Sequence, residues 1–495
     1  LAAAMGIEFS YVRASVVVDG ERLEEVGVRY KGNGTYMMSQ GIDKRPLKLD
    51  FDRYVKGQKL RGLATLNLHN NVVDRTYLHE ALGYEVSRAF GVPAPRTAYA
   101  QVYVTIPGRF ERTYLGLYTV VEQVNKDFLE RWYGTRKGLL IKPGSRESFR
   151  DLGAEWAPYA RSLNAQTEGS PSDQAQAMRF VRMAVSQDDS ALARELGEVT
   201  DLDSLARFLA LNVGLSNLDS FLTLGQNYYA YVEPVSGRLH WWLWDLDNAW
   251  GYFALMGTAE SRVDLSIAQP HSEDQHLVRR LLAVPALQER YRAELRRLVE
   301  GPMHPDVLVP RVGEAVAFLE PLLAQENPGT AVRFRRAVLG LESTSTPTSP
   351  TTPTGAAEEG PGPMMFGGDN LPLLTFIHHR VASVLSQLEG QSPGTPLASG
   401  FGFQGGPGRP QAGMGGRGFG GPGRPPGFGP GGFRGPGGPG GPPSPGFFMA
   451  LPFMMAGDED RDGSLTGEEF RTLAGTWHQA WGGTEIEGLD AEAVA

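Results

Sequence analysis

The sequence predicts an α+β fold, with strands gathered in the first third of the chain and helices filling most of the rest. Three observations lead there. Residues 7–70 carry short β-branched runs of alternating polarity, broken by glycine turns. Residues 170–210 and 275–325 repeat their apolar residues at helical spacing. Between those two helical stretches, Asn212–Gly251 contains a single hairpin pattern that delivers acids and amides to one end.

The chain has 495 residues and 41% hydrophobic content, enough for two or three domains with a large core. A formal net charge of -9 argues against a general nucleic-acid or anionic-membrane binder. The absence of cysteine excludes disulfides, thiolate zinc sites and cysteine nucleophiles, and leaves the redox compartment open. No apolar run reaches the ~18–20 residues that span a bilayer. The chain opens on Leu1-Ala2-Ala3-Ala4, consistent with removal of a signal peptide or upstream region, though none is visible.

Val12–Val18 and Glu25–Tyr30 read as strands, and Lys31-Gly32-Asn33-Gly34-Thr35 as a tight glycine turn. In the next strand Leu47, Leu49 and Phe51 share one face, while Lys44, Pro46, Lys48 and Asp50 share the other. A glycine turn can offer backbone N–H groups to phosphate, with a lysine on the adjacent strand reaching it. The same pattern also fits a plain chain reversal beside a surface strand. Val73–Phe90 reads as a helix with Asp74 as N-cap, Leu78, Ala81, Leu82 and Val86 as its apolar stripe, and Gly91 as its stop. Glu80 and Glu85 lie off that stripe. Strands Tyr99–Ile106 and Thr113–Glu122 flank a Pro107-Gly108 turn, so Glu122 ends an apolar strand, and a short strand Gly138–Lys142 ends in lysine. The last candidate helix is Leu371–Leu388.

In the hairpin, Asp219 sits in the loop before strand Tyr228–Glu233, and Asn227 at that strand's mouth. Asp245 and Asp247 follow strand Leu239–Trp244, whose Trp241, Trp242 and Trp244 read as core. A carboxylate where a buried strand ends is costly to desolvate unless hydrogen-bonded, paired or metal-bound. Oxygen-only ligands suit Mg²⁺. An Asx-type turn ending the strand, helped by Asn248, fits the spacing equally well.

Four segments follow from composition. Residues 343–370 are expected to be a disordered insertion inside a domain spanning 1–390, and 391–446 a mobile Gly/Pro-rich linker. Its four arginines also fit an RGG-like nucleic-acid segment, which the acidic whole disfavours. Residues 447–495 are expected to form a small helical calcium-binding segment: Asp458, Asp460 and Asp462 stand at positions 1, 3 and 5 of an EF-hand loop pattern. Gly463 makes the bend, Ser464 offers its carbonyl at 7, Thr466 stands at 9, and Glu469 supplies the bidentate carboxylate at 12. Residues 482–490 resemble a sister loop that has lost its early ligands.

In order along the chain, VRYKGNGTYM, KRPLKLDF, DRTYLHEAL, GVPAPR, LGLYTVVEQVNKDFL, GLLIKP, LDSFLTLGQNYYAY and WDLDNAWG resemble the spore-coat CotH family of atypical protein kinases. The resemblance spans residues 25–390, and subgroup members also end in a Gly/Pro-rich tail with calcium-loop motifs. It implies a kinase-like two-lobe fold, with a β-rich N-terminal lobe, a mostly helical C-terminal lobe and ATP between them. Carried over, Asp219 is the catalytic aspartate that accepts the proton of the substrate hydroxyl. Asp245 is the aspartate that holds Mg²⁺ (or Mn²⁺), with Asn227 and Asp247 as further metal ligands. Lys44 is the phosphate lysine and Glu80 its partner on the helix. Gly32 and Asn33 belong to the phosphate turn, and Glu122 and Lys142 to the nucleotide cleft. The chain departs from ordinary protein kinases in lacking HRD, DFG and GxGxxG. Asp219 and Asn227 are eight residues apart, against five in HRDxxxxN. The family's usual Arg-Gly-Asn-Ser is Lys-Gly-Asn-Gly here.

The function this implies is a Mg·ATP-dependent phosphotransferase acting on Ser/Thr of secreted or surface proteins, with a tethered Ca²⁺ module. Its expected partners are ATP and a protein substrate, with no nucleic acid and no transmembrane segment. The protein is expected to be a monomer, secreted or on a bacterial cell surface. The alternative class is a non-catalytic calcium-binding coat protein that keeps a kinase-like scaffold. A DxD nucleotide-sugar site at WDLD is disfavoured, since the chain lacks alternating βαβ units.

Overall fold

The computed structural model describes residues 9–32, 34–186, 188–340 and 370–397, with Thr472 beyond them. The insertion at 343–369, Asn33, nearly all of the linker and the calcium loop with its six ligands (Asp458 to Glu469) lie outside the described residues.

The mixed helix-and-sheet fold is present. Six antiparallel strands form one sheet in the order β1-β2-β3-β4-β6-β5. They are β1 (Val12–Val18), β2 (Glu21–Tyr30), β3 (Leu47–Asp50), β4 (Thr65–His69), β5 (Thr97–Ile106) and β6 (Phe110–Glu122). A five-residue helix α1 (Gly34–Met38) follows β2 where only a turn was expected. One face of the sheet closes over Leu23, Val26, Leu49, Phe51, Leu68 and Tyr118, so the face that alternation assigned to Leu49 and Phe51 is buried. Helix α2 (His79–Ala89) begins six residues later than Val73, because Asp74 folds the entry into a turn. Its carboxylate accepts from the N–H groups of Thr76 (2.8 Å) and His79 (2.9 Å). Local side-chain bonds of this kind compete with helix.

After α3 (Lys126–Tyr133), strands β7 (Leu139–Ile141), β8 (Tyr228–Glu233) and β9 (Arg238–Leu243) make a second antiparallel sheet. Helices α4 (Trp156–Ser162), α5 (Pro171–Val185), α6 (Asp189–Val199) and α7 (Leu202–Gly214) lie between β7 and β8 in the chain. After β9 come α8 (Ala259–Val263), α9 (His276–Leu282), α10 (Pro285–Glu300), α11 (Pro305–Glu326), α12 (Pro328–Leu339) and α13 (Leu373–Leu388). Trp241 and Trp242 are fully buried and belong to the same hydrophobic cluster as Phe208, Tyr228 and Leu298. Such a core fixes the hairpin as a rigid platform. The packed chain also runs past Gly390: Thr395 accepts from Ser266 N–H (2.9 Å) and donates to Asp264, and Leu397 is buried.

The six-stranded sheet meets the helical half at Glu326, the last residue of α11. Its carboxylate accepts from Lys44 Nζ (2.8 Å) and from Leu117 N–H (2.7 Å). Gly116 makes room for it: with φ +120°, a Cβ there would stand 2.7 Å from the carboxylate. Gly116→Ala is therefore expected to lower stability by about 1–3 kcal/mol, the usual cost of a strained backbone position. Urea denaturation checks this, and an unchanged midpoint would count against it.

Candidate active site

Strand β9 hands its last ladder bond, Trp244 N–H to Asn227 O (3.0 Å), to the mouth of the hairpin. There both chains leave the extended conformation: Asn227 has φ +60° and Asp245 φ +58°. Left-handed backbone at non-glycine residues is tolerated best by Asn and Asp, and gathers at functional sites. It brings Asp219, Asn227, Asp245 and Asp247 together, as the sequence spacing suggested it could.

Amides tie these acids to one another. Asp219 accepts from Gln226 Nε2 (2.6 Å) and from Asn248 Nδ2 (3.1 Å), and Asn248 Nδ2 also reaches Asp247 Oδ1 (3.2 Å). Asn227 Nδ2 donates to the Asp219 backbone carbonyl (2.8 Å). Helix α2 supports the loop from below, His79 Nδ1 donating to Asp247 O (2.8 Å) and Trp250 Nε1 to His79 O (3.0 Å). Burial pushes the Asp219 carboxyl up to about 6, against the pull of its two amide donors and with added repulsion from Asp245. Asp247 rises well above the usual carboxylate range, first through burial and then through Asp245, Glu80 and Asp219. Asn248 Oδ1 is buried and accepts no hydrogen bond.

Cations face this acidic floor. Lys31 lines a cavity with Gly32, His69, Glu80, Asp245 and Asp247. Burial depresses its ammonium, and Asp245, Glu80 and Asp247 oppose the shift. Lys142, at the end of β7, lies over the Trp244 ring at 4.9 Å and is lowered to about 8 by burial, with Asp245 opposing. Lys48 on β3 is lowered to about 8, again by burial and then by Arg29 and Lys31. Gly32 has to be glycine: its φ is +73° and a Cβ would meet Thr35 Oγ1 at 2.3 Å.

Two residues assigned to the cleft from the sequence are engaged elsewhere. The expected Lys44–Glu80 pair does not form. Lys44 precedes β3 in a loop aimed at α11, where it pairs with Glu326 and donates to Tyr77 Oη (3.1 Å). Glu80 instead contacts His69 Nδ1. Glu122 is held by Arg96 (2.9 Å) and by Arg131 Nη2 (2.5 Å) and is not among the residues lining the cavity. Sequence reasoning missed Lys31, Lys48, His69, Gln226 and Asn248 as site residues. Lys31 adjoins the glycine turn that drew attention, and alternation placed Lys48 on the same face as Lys44, the lysine chosen instead. A lone histidine ending a strand gives no such signal.

Carboxylates convergent on a cavity that Lys31 lines, with Lys142 acting on the same Asp245, form a site for a polyanion and a hard cation. A family model, CotH kinase protein, matches residues 28–336, more than half of the chain. The protein belongs to the CotH kinase family, and membership implies a kinase-like function with ATP and a divalent metal. No curated protein matches the chain. The residues present fit a metal: Asp245 and Asp247 offer oxygen donors, burial first and then neighbouring carboxylates disfavour the charge on Asp247, and Asn248 Oδ1 is orphaned. Among the described residues, no helix is long and apolar enough to cross a membrane.

Proposed function

We propose that this protein is an atypical, metal- and ATP-dependent protein kinase of two-lobe design that phosphorylates Ser/Thr hydroxyls of secreted or surface proteins. The observation that supports it best is the placing of Lys31 with Asp245 and Asp247 in the wall of one cavity, with Lys142 acting on the same Asp245 and Lys48 close enough to act on Lys31 and Lys142. The lysines bind the phosphates. Asp245 and Asp247, with Asn227, hold Mg²⁺ or Mn²⁺. When bound, that ion offsets charge on the phosphate oxygens.

Asp219 accepts the proton of the attacking hydroxyl as its oxygen bonds the γ-phosphorus and the bond to the ADP oxygen breaks. A carboxyl raised by burial is a stronger base than an exposed one, and Gln226 and Asn248 fix its orientation. Enclosure of the hairpin by aromatic core limits how far these groups can drift.

Binding tests the nucleotide half of the proposal. Calorimetric titration is expected to show Mg·ATP binding well ahead of UDP-sugars, and a preference for UDP-sugars would reject it. The pH dependence follows from the lysines. A bound phosphate favours the ammonium form, half of which Lys142 and Lys48 have lost at about pH 8 when no phosphate is bound. ATP affinity is therefore expected to fall as pH rises through 8, at a limiting slope of about tenfold per pH unit for each such lysine. Lys142→Met should weaken binding at pH 7 and flatten part of that slope. A pH-independent affinity between 7 and 9.5 would remove both lysines from the phosphate site.

The calcium loop at 458–469 is proposed, on its sequence pattern, to bind Ca²⁺ independently of the cleft. Glu469→Gln is expected to weaken Ca²⁺ binding strongly and leave turnover unchanged. Truncations that test the tail should keep Thr395 and Leu397, which pack on the domain.

A further inference from the structure

We infer that His69 is a positioning residue, standing between the phosphate lysine and the helix glutamate and joining them into one chain of hydrogen bonds. This rests on the proposal that the cleft takes nucleotide phosphates. Lys31 and Glu80 do not contact each other directly: Lys31 Nζ contacts His69 Nε2, and His69 Nδ1 contacts Glu80 Oε2. An ammonium carries three donors and no acceptor, and a carboxylate only accepts. With Lys31 as an ammonium, Nε2 must accept and Nδ1 must carry the hydrogen that Glu80 takes. The neutral ring thus turns a donor on one side into a donor on the other.

The chain continues beyond Glu80. Tyr84 Oη donates to Glu80 Oε1 (3.4 Å) and accepts the Asp245 backbone N–H (3.0 Å). Lys31 comes from the end of β2, His69 from β4, Glu80 and Tyr84 from α2, and Asp245 from the loop after β9. Four separate elements therefore set the lysine against the proposed metal-binding aspartate. His69 is 11% and Glu80 4% exposed at the side chain, so water competes little for these bonds. A direct lysine–glutamate pair would draw Nζ toward α2. The interposed imidazole leaves Lys31 at the cavity wall beside Gly32 and Asp245.

The test compares Mg·ATP and adenosine binding by calorimetry for the full chain and for His69→Phe, His69→Gln, Glu80→Gln and the His69→Phe/Glu80→Gln double variant. His69→Phe is expected to weaken Mg·ATP binding about ten- to a hundredfold, the range for losing a charged hydrogen bond. Adenosine, which lacks phosphates, should bind as before. His69→Gln, whose amide both donates and accepts, should recover part of the loss. The double variant should bind Mg·ATP no worse than the more damaging single change, because both cut one chain. Equal losses for ATP and adenosine would overturn the inference, leaving His69 a packing residue. So would additive losses in the double variant. His69, Glu80 and Asp245 also offer ligand atoms within 4.8 Å of one another. If His69→Phe weakened Mn²⁺ binding without nucleotide, in a Glu469→Gln background that silences the calcium loop, His69 would be a metal ligand and the positioning role overturned. Wild-type protein binding adenosine as tightly as Mg·ATP would instead overturn the phosphate site itself.

Discussion

Asp219→Ala is expected to lower phosphoryl-transfer turnover by about 10²–10⁴-fold, the usual contribution of a positioned general base, with Mg·ATP affinity nearly unchanged. Asp219 is held by Gln226 and Asn248 and repels Asp245 across the floor of the site. Its removal takes away a base and a source of repulsion, but no proposed phosphate contact. The signature is a fall in kcat at constant nucleotide affinity. Single-turnover kinetics with direct nucleotide titration separates the two. A collapse of ATP affinity would make Asp219 a metal ligand instead.

Asp245→Asn is expected to lower transfer at least about a thousandfold, since a metal ion's charge stabilisation is worth several kcal/mol. The magnesium-dependent part of ATP affinity should disappear with it. The fold should survive. Asn tolerates the left-handed backbone at φ +58° as well as Asp does, and the backbone N–H that donates to Tyr84 is kept. Asp247, raised partly by the charge of Asp245, loses a neighbour that disfavours its own ionisation. The metal-free variant should therefore melt no lower than wild type. A variant with full turnover would take Asp245 out of the mechanism, and one that unfolds would show the loop depends on its charge.

Much of the hairpin was legible because its signals are local: an aromatic run fixes the strand, and acids just beyond it must be accommodated. The same holds for the face of β3, where alternation placed Leu49 and Phe51 inside. Pairings across the molecule were not legible. Lys44 and Lys48 alternate onto one side, yet β3 starts only at Leu47, so Lys44 belongs to a loop. Its partner Glu326 is 282 residues away, and no spacing rule connects them. Glu122 looked like a cleft residue because it ends an apolar strand, but Arg96 and Arg131 hold it. His69 was invisible for the opposite reason: it matters only through what β2 and α2 bring to its two nitrogens.

The central claim is that this cleft moves the γ-phosphoryl group of ATP. The most direct measurement follows γ-labelled ATP incubated with the full chain, divalent metal and a mixture of acceptor proteins, with Asp219→Ala and Asp245→Asn beside it. Metal-dependent label on Ser/Thr in wild type, lost in both variants, is the predicted result. Tight metal-dependent ATP binding with no γ-phosphate released to protein or water would contradict it and leave the fold a non-catalytic scaffold.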